Sequence, residues 1–192
     1  MIKLSSDFEL DRYGLHVRFA RVDDAEFIHK LRTASKTAPY MHIEGCTVET
    51  QREWLMNYIK REANGEEYYI IFEREGEPIG IQRLCHFDGV KFHCSSWAFK
   101  ENIPSYYGIA GALISREIAF DILGLEEEES WRDGIVVTNK NVIMFMKLLG
   151  WKQTGVHNDG EFDMITGVLT KEAFLKNKLK VLRFIPKTMQ QS

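Results

Sequence analysis

The first readable pattern in the chain is Leu15-His16-Val17-Arg18-Phe19-Ala20, where apolar and polar residues alternate with the period of a half-buried strand. Residues 1–14 ahead of it read as a loosely ordered lead-in. Asp23, with Glu26 three positions on, has the form of a capping box and opens a helix through Ala34. Ser35 to Cys46 contains Pro39 and Gly45, shows no period and reads as a loop. Thr47 can cap a second helix whose Trp54, Leu55, Tyr58 and Ile59 form an apolar stripe, ended by Asn64-Gly65. Three strands follow: Tyr68 to Arg74, Pro78 to Phe87 after a Glu75-Gly76 turn, and Val90 to Phe99 after Asp88-Gly89, a two-residue hairpin signal. Ala112 to Leu123 is amphipathic and stops near Gly124, and Ile135 to Thr138 is a further strand. Val142, Met146 and Leu149 mark a helix of about three turns closed by Gly150. Trp151 to Val156 and Phe162 to Leu169 read as a last hairpin, and Lys171 begins a terminal helix with a basic tail, Lys176 to Lys187.

The resulting order, β-α-α-β-β-β-α-β-α-β-β, is that of one α/β (α+β) domain over residues 15–170, with a lead-in at 1–14 and a C-terminal basic helix and tail at 171–192. A length of 192 residues suits one well-buried domain and is short for two. The net charge of −3, without an arginine-rich stripe, speaks against a nucleic-acid partner. Cys46, Cys85 and Cys94 are odd in number and lack metal-ligand spacing, so they read as free thiols of a reducing compartment. The last two sit in apolar strand sequence and read as core residues. The acidic run Glu126 to Glu129 reads as a solvated helix end or loop, not a cation site, and no metal is expected. With neither a signal-peptide pattern nor a membrane-length apolar run, the expected location is cytoplasmic and no membrane partner is expected.

Two motifs carry chemistry. Pro104-Ser105-Tyr106-Tyr107-Gly108-Ile109-Ala110-Gly111 precedes the Ala112 helix, and small residues at Gly108 and Ala110 would let an anion approach unpaired backbone N–H groups at a helix start. Packing or a turn is the plain alternative. Downstream, the strand Val136-Val137-Thr138 ends at Asn139, a helix N-cap candidate, and the helix stops at Gly150-Trp151.

Together these motifs resemble the GNAT superfamily of acyl-CoA-dependent N-acyltransferases. Its members carry an Arg/Gln-x-x-Gly-x-Gly/Ala loop, followed by an Asn, a helix and Gly-Phe. Gly108 and Ala110 fill the two small positions, Ser105 stands where Arg or Gln is usual, and Trp151 replaces Phe. The likeness covers roughly residues 15 to 170 and is nearest to the ribosomal-protein N-terminal and amino-sugar N-acetyltransferase branch. It implies a single GNAT-like domain, a twisted mixed β-sheet with helices on both faces. Two strands would splay to admit the pantetheine arm of acetyl-CoA, the implied co-substrate. The backbone at Trp97, Ala98 and Phe99 would pair with that arm and supply an oxyanion donor. The amides of Tyr106, Tyr107, Gly108, Ile109, Ala110 and Gly111 would hold the pyrophosphate, and Asn139 would touch the cofactor. The family's acid positions, a Tyr or a Ser, are here Met146 and Val142, with Met146 expected to face the sulfur.

Acid–base candidates are Glu44, His86 and Asp163, with His93 weaker, and each has an ordinary structural alternative. The acceptor is expected between the Tyr40–Cys46 loop and the last hairpin near Asp163. It would be a small-molecule primary amine. An amino-sugar nucleotide is favoured because the Leu31-Arg32 helix end, the Trp54-Leu55 helix and the Tyr69-Ile70-Ile71-Phe72 strand look similar to enzymes of surface-polysaccharide pathways. A protein N-terminus, or a catalytically silent acyl-CoA-binding regulatory module, are the competing readings. A homodimer is compatible with all of them.

Overall fold

The computed structural model describes residues 2–191. Eight strands form one sheet in the order β1-β2-β3-β4-β5-β6-β8-β7. They are β1 (Glu9–Arg12), β2 (Leu15–Phe19), β3 (Tyr68–Arg74), β4 (Glu77–Cys85), β5 (Lys91–Phe99), β6 (Glu127–Val136), β7 (Lys152–Asn158) and β8 (Asp163–Thr170). The helices are α1 (Ala25–Thr33), α2 (Val48–Asn64), α3 (Tyr106–Glu117), α4 (Lys140–Leu149) and α5 (Lys171–Leu182). Every pairing is antiparallel except β5 with β6, which α3 connects.

Two apolar cores flank the sheet. Ile28 and Leu31 of α1 and Leu55 and Tyr58 of α2 cover one face at Tyr69, Ile71, Ile81 and Ala98. Leu113 and Ile114 of α3, Met146 and Leu149 of α4 and Phe174 of α5 cover the other at Ile70, Phe72, Leu84 and Phe92. Side chains of this size each gain about 1.5–3 kcal/mol from full burial. The alternation read in the sequence therefore fixes which helix meets which face.

Several elements differ from the sequence reading. The lead-in contains β1, an edge strand paired antiparallel to β2. The helix start at residue 23 uses Asp24 instead of Asp23: its carboxylate accepts the Arg21 N–H at 2.7 Å and takes both Arg18 terminal nitrogens at 2.8 Å. Thr47 caps α2 as expected, accepting from Thr50 N–H at 3.1 Å, but the buried stripe is Gln51, Leu55, Tyr58 and Glu62, with Ile59 exposed. Asp88-Gly89 is not a two-residue hairpin. The β4–β5 connection spans 86–90, where the Asp88 carboxylate accepts from the Val90 and Lys91 amides. From Glu127 on the acidic run is strand, not loop: Glu128 is buried against Arg116 at 2.7 Å, and Lys91 bridges Glu127 and Glu129.

α3 begins at Tyr106, six residues before the expected start, and runs into a π turn over Ile118–Ile122. The described residues contain no helix long and apolar enough to cross a membrane.

Candidate active site

β5 and β6 pair only at Lys91↔Glu127 and Phe92↔Glu128, then diverge. Beyond that point a cleft of about 1110 Å³ passes through the sheet, walled by Cys94 to Phe99 on one side and by Ser130, Gly134, Ile135, Val136 and Asn139 on the other. The splay expected between the strand before the α3 loop and the next strand is this opening.

A β-bulge shapes its β5 wall. Arg83 opposes Ser95 and Ile81 opposes Ala98, so Ser96 and Trp97 together face the single residue Gln82. Ser96 takes a left-handed φ of 52°. The Lys100 N–H bonds Ile79 C=O on β4. Antiparallel alternation then turns the Ala98 amide toward β4 as well, and the Trp97 and Phe99 amides toward the open edge. Of the three backbone positions expected to meet pantetheine, these two present donors to the cleft.

On the α3–α4 face, the Tyr107 amide bonds Pro104 C=O and the Ile109 amide bonds Ser105 C=O, which leaves Tyr106 and Gly108 as donors at the helix start. Ala110 and Gly111 lie inside the helix, and Ala110 is fully buried in the core. The expectation of a loop with free amides through Gly111 is corrected accordingly: the first turn replaces it. A Cβ on Gly111 would lie 2.5 Å from the Phe99 ring, so this glycine is required by packing. A Cβ on Gly108 would meet nothing closer than 3.8 Å, and Gly108 lines the cleft beside Trp97. Trp97 in turn packs on Phe145 of α4 at 5.2 Å.

Asn139 caps α4, accepting from Val142 N–H at 3.4 Å, and Gly150 closes it in the left-handed region at φ 99°. Asn139, Val142 and Met146 all line the cleft. Met146 is nonetheless 4% exposed, with its sulfur 3.1 Å from an Arg116 terminal nitrogen. Its thioether serves the buried Arg116–Glu128 pair at the cleft floor, beside which burial and the Glu128 carboxylate push the Cys94 thiol well above its ordinary range.

The α1–α2 face holds the groups that sequence reasoning did not single out as site residues. Tyr69, Arg83 and Ser95 oppose one another directly across β3, β4 and β5. Arg83 Nε donates to Ser95 Oγ at 3.1 Å, and Arg32 from the last turn of α1 reaches Ser96 Oγ at 3.5 Å and His42 C=O at 2.8 Å. The cleft is also lined here by Trp54. Period-2 alternation on β3 to β5 carried the signal that Tyr69, Arg83 and Ser95 share a face. The Ser96 bulge, which brings Ser96 to Arg32, left no sequence mark.

Among the acid–base candidates, Glu44 and the weaker His93 line the cleft. His93 is buried, with Nδ1 3.2 Å from Glu129 C=O. His86 is exposed in the turn after β4, and Asp163 takes an Asn158 side-chain bond at 2.7 Å at the start of β8; neither is among the lining residues. The Tyr40–Cys46 loop and the last hairpin do meet, through His42, which contacts Asp159 at 3.2 Å and Glu161 at 2.5 Å and packs on Phe162.

The fold recurs in solved structures. Apo FdhC, described as a nucleotide-linked sugar GNAT, is 30% identical, with a TM-score of 0.77 over 94% of this chain and 99% of its own. Mycobacterium smegmatis RimJ in complex with CoA-disulfide is 14% identical, with a TM-score of 0.72 over 92% of each chain. The ribosomal-protein-S5-alanine acetyltransferase of Vibrio fischeri is 15% identical, with a TM-score of 0.69 over 86% of this chain and 98% of its own. No family model matches the sequence, and no curated protein matches it. The likeness to the sugar GNAT extends over nearly the whole of both chains, and this protein belongs to the GNAT superfamily of acetyltransferases.

Proposed function

We propose that the protein transfers an acyl group, acetyl in the simplest case, from acyl-CoA to a primary amine, with a nucleotide-linked amino sugar as the favoured acceptor. The observation that carries the reading is the opening between β5 and β6, which joins two faces of the sheet at an unpaired backbone edge. The thioester arm enters from the α3–α4 face and pairs with the Trp97 and Phe99 amides. The acceptor arrives from the α1–α2 face, so that amine and carbonyl meet at the gap. The residues present fit the donor: Gly108 leaves its side of the cleft free of a side chain, and Asn139 stands at the mouth.

In this reading the neutral amine attacks the thioester carbonyl, and one of the two open amides receives the oxyanion. The C–S bond then breaks as the new C–N bond is kept. The proton lost by nitrogen passes to the departing thiolate directly or through water, a tolerable route because a thiol with pKa about 8.5 leaves readily near neutral pH. Met146 and Val142 contribute no proton donor. The choice of acceptor rests on the 30% identity to a nucleotide-linked sugar GNAT.

Thiol release from acetyl-CoA and longer acyl-CoAs, measured against nucleotide-linked amino sugars, polyamines and peptide N-termini, tests the proposal. Amine-dependent release that is fastest with an amino-sugar nucleotide is the expected result. Tight CoA binding with no amine-dependent release from any of them would overturn transfer and leave a silent binding module.

A further inference from the structure

On the α1–α2 side of the cleft stands an arginine, Arg32, that no carboxylate of the described residues pairs. Its guanidinium is held by one hydroxyl and one carbonyl, and its Nε is buried without a hydrogen-bond partner. Beside it the Tyr69 hydroxyl, on a residue 2% exposed, approaches Ser96 and Arg32 without completing a hydrogen bond of good geometry to either. Arg83, fixed by Ser95 and 3.6 Å from Glu67, adds a second guanidinium on the same face. Lys36 and the Glu44 carboxylate also line the cleft. A buried polar atom without a partner is costly, and a site that keeps two such atoms side by side at an open cleft is suited to a ligand that supplies the partners. An anion supplies them all: it accepts from Arg32 Nε and from the Tyr69 hydroxyl in a setting where charge-assisted bonds are strong.

We propose that Arg32 and Tyr69, backed by Ser96 and Arg83, bind an anionic group that the acceptor carries at a distance from its amine. The group is a phosphate or a carboxylate, and this specificity rests on the acyl-transfer reading above. Neutral polyhydroxy amines and polycationic amines lack the group and are discriminated against at this point. Trp54, which forms one wall of the cleft and packs edge-on to Tyr69 at 5.6 Å, gives the remainder of such an acceptor a flat apolar surface.

Two measurements test it. In the first, calorimetry on the CoA-saturated protein uses inorganic pyrophosphate and a nucleoside diphosphate as probes, so that the donor's own phosphate site is already filled. Arg32→Gln should weaken their binding tenfold or more and Tyr69→Phe about threefold, while Arg32→Lys recovers part of the loss. In the second, KM is compared for a diphosphate-linked amino sugar, an amine bearing a carboxylate, and the matching neutral amino sugar. Arg32→Gln should raise KM selectively for whichever anionic acceptor the wild type prefers, and that preference separates phosphate from carboxylate. Should no amine be turned over while Arg32→Gln still abolishes anion binding, the transfer reading fails and the anion site stands. The proposal is overturned if the CoA-saturated wild type binds neither probe and shows no preference for an anionic acceptor. It is equally overturned if Arg32→Gln, folded by circular dichroism, changes all three KM values alike.

Discussion

Gly108 and Gly111 lie one turn apart on α3 and are small for different reasons. The Phe99 ring is wedged between Gly80 and Gly111, where an added Cβ would come within 2.3 Å and 2.5 Å of ring carbons, and the ring stacks on Phe72 at 5.3 Å, so it has little room to yield. Gly111→Ala should therefore cost about 1–3 kcal/mol through overpacking, read as a lower thermal midpoint. Gly108→Ala meets no such obstacle, and in a helix alanine is favoured over glycine by about 0.5–1 kcal/mol. Its midpoint should hold or rise while acyl-CoA affinity falls, by calorimetry on the same sample. Equal losses of stability in both variants would show that Gly108 is a packing residue after all. Both glycines stood out in the sequence because the motif is short and local. Which of them faces a ligand did not, since that depends on Phe99, a residue from another element.

At the scale of elements, α4 was read almost residue for residue. Its signals are its own: Asn139 at the cap, Gly150 at the stop, and an apolar face between them. Gly150 adopts φ 99°, and a Cβ there would lie 2.7 Å from Asn177 Nδ2 on α5. Gly150→Ala should thus lose about 1–2 kcal/mol from backbone strain alone, with a further loss as α4 and α5 part, seen as a lower urea midpoint. Asn139→Ala should cost about 1 kcal/mol; a larger fall in acyl-CoA affinity than in stability would mark it as a cofactor contact too. Elements held by distant partners were harder to read. β1, Glu-Leu-Asp-Arg, has one apolar residue and exists because β2 offers its edge. The acidic start of β6 has poor strand propensity and is tolerated because Arg116 and Lys91 stand against it, 12 and 38 residues away in sequence at the closest pairs.

Across the whole molecule, the α1–α2 side of the cleft is bordered by a contact between segments far apart in the chain. His42 ties the loop before α2 to the β7–β8 turn, where the Phe162 and Glu161 amides hold the Asp159 carboxyl below its usual range and keep it available as an anion. Exposed pairs of this kind contribute little to stability. His42→Ala should accordingly leave the thermal midpoint within a degree or two while raising the acceptor KM several-fold, with acyl-CoA affinity unchanged. Unchanged KM values would mean that this contact takes no part in holding the acceptor. The sequence pointed to these two segments as the acceptor's borders because both are irregular. It could not pair them, because the link is one side chain against a turn 117 to 120 residues away, a relation no local pattern records.

The extra residue in β5 has a consequence for how this strand could be edited. An unbroken strand sends neighbouring side chains to opposite faces, yet Ser95 and Ser96 serve Arg83 and Arg32 on the same face, and Trp97 then resumes the alternation toward α3. Removing Ser96 would let Trp97 oppose Gln82 and complete a regular ladder with every downstream side chain still on its present face. The insertion is in this sense silent to the rest of the architecture. A chain lacking Ser96 should fold at least as stably by thermal denaturation, freed of a left-handed serine, and should be poorer only at holding its acceptor.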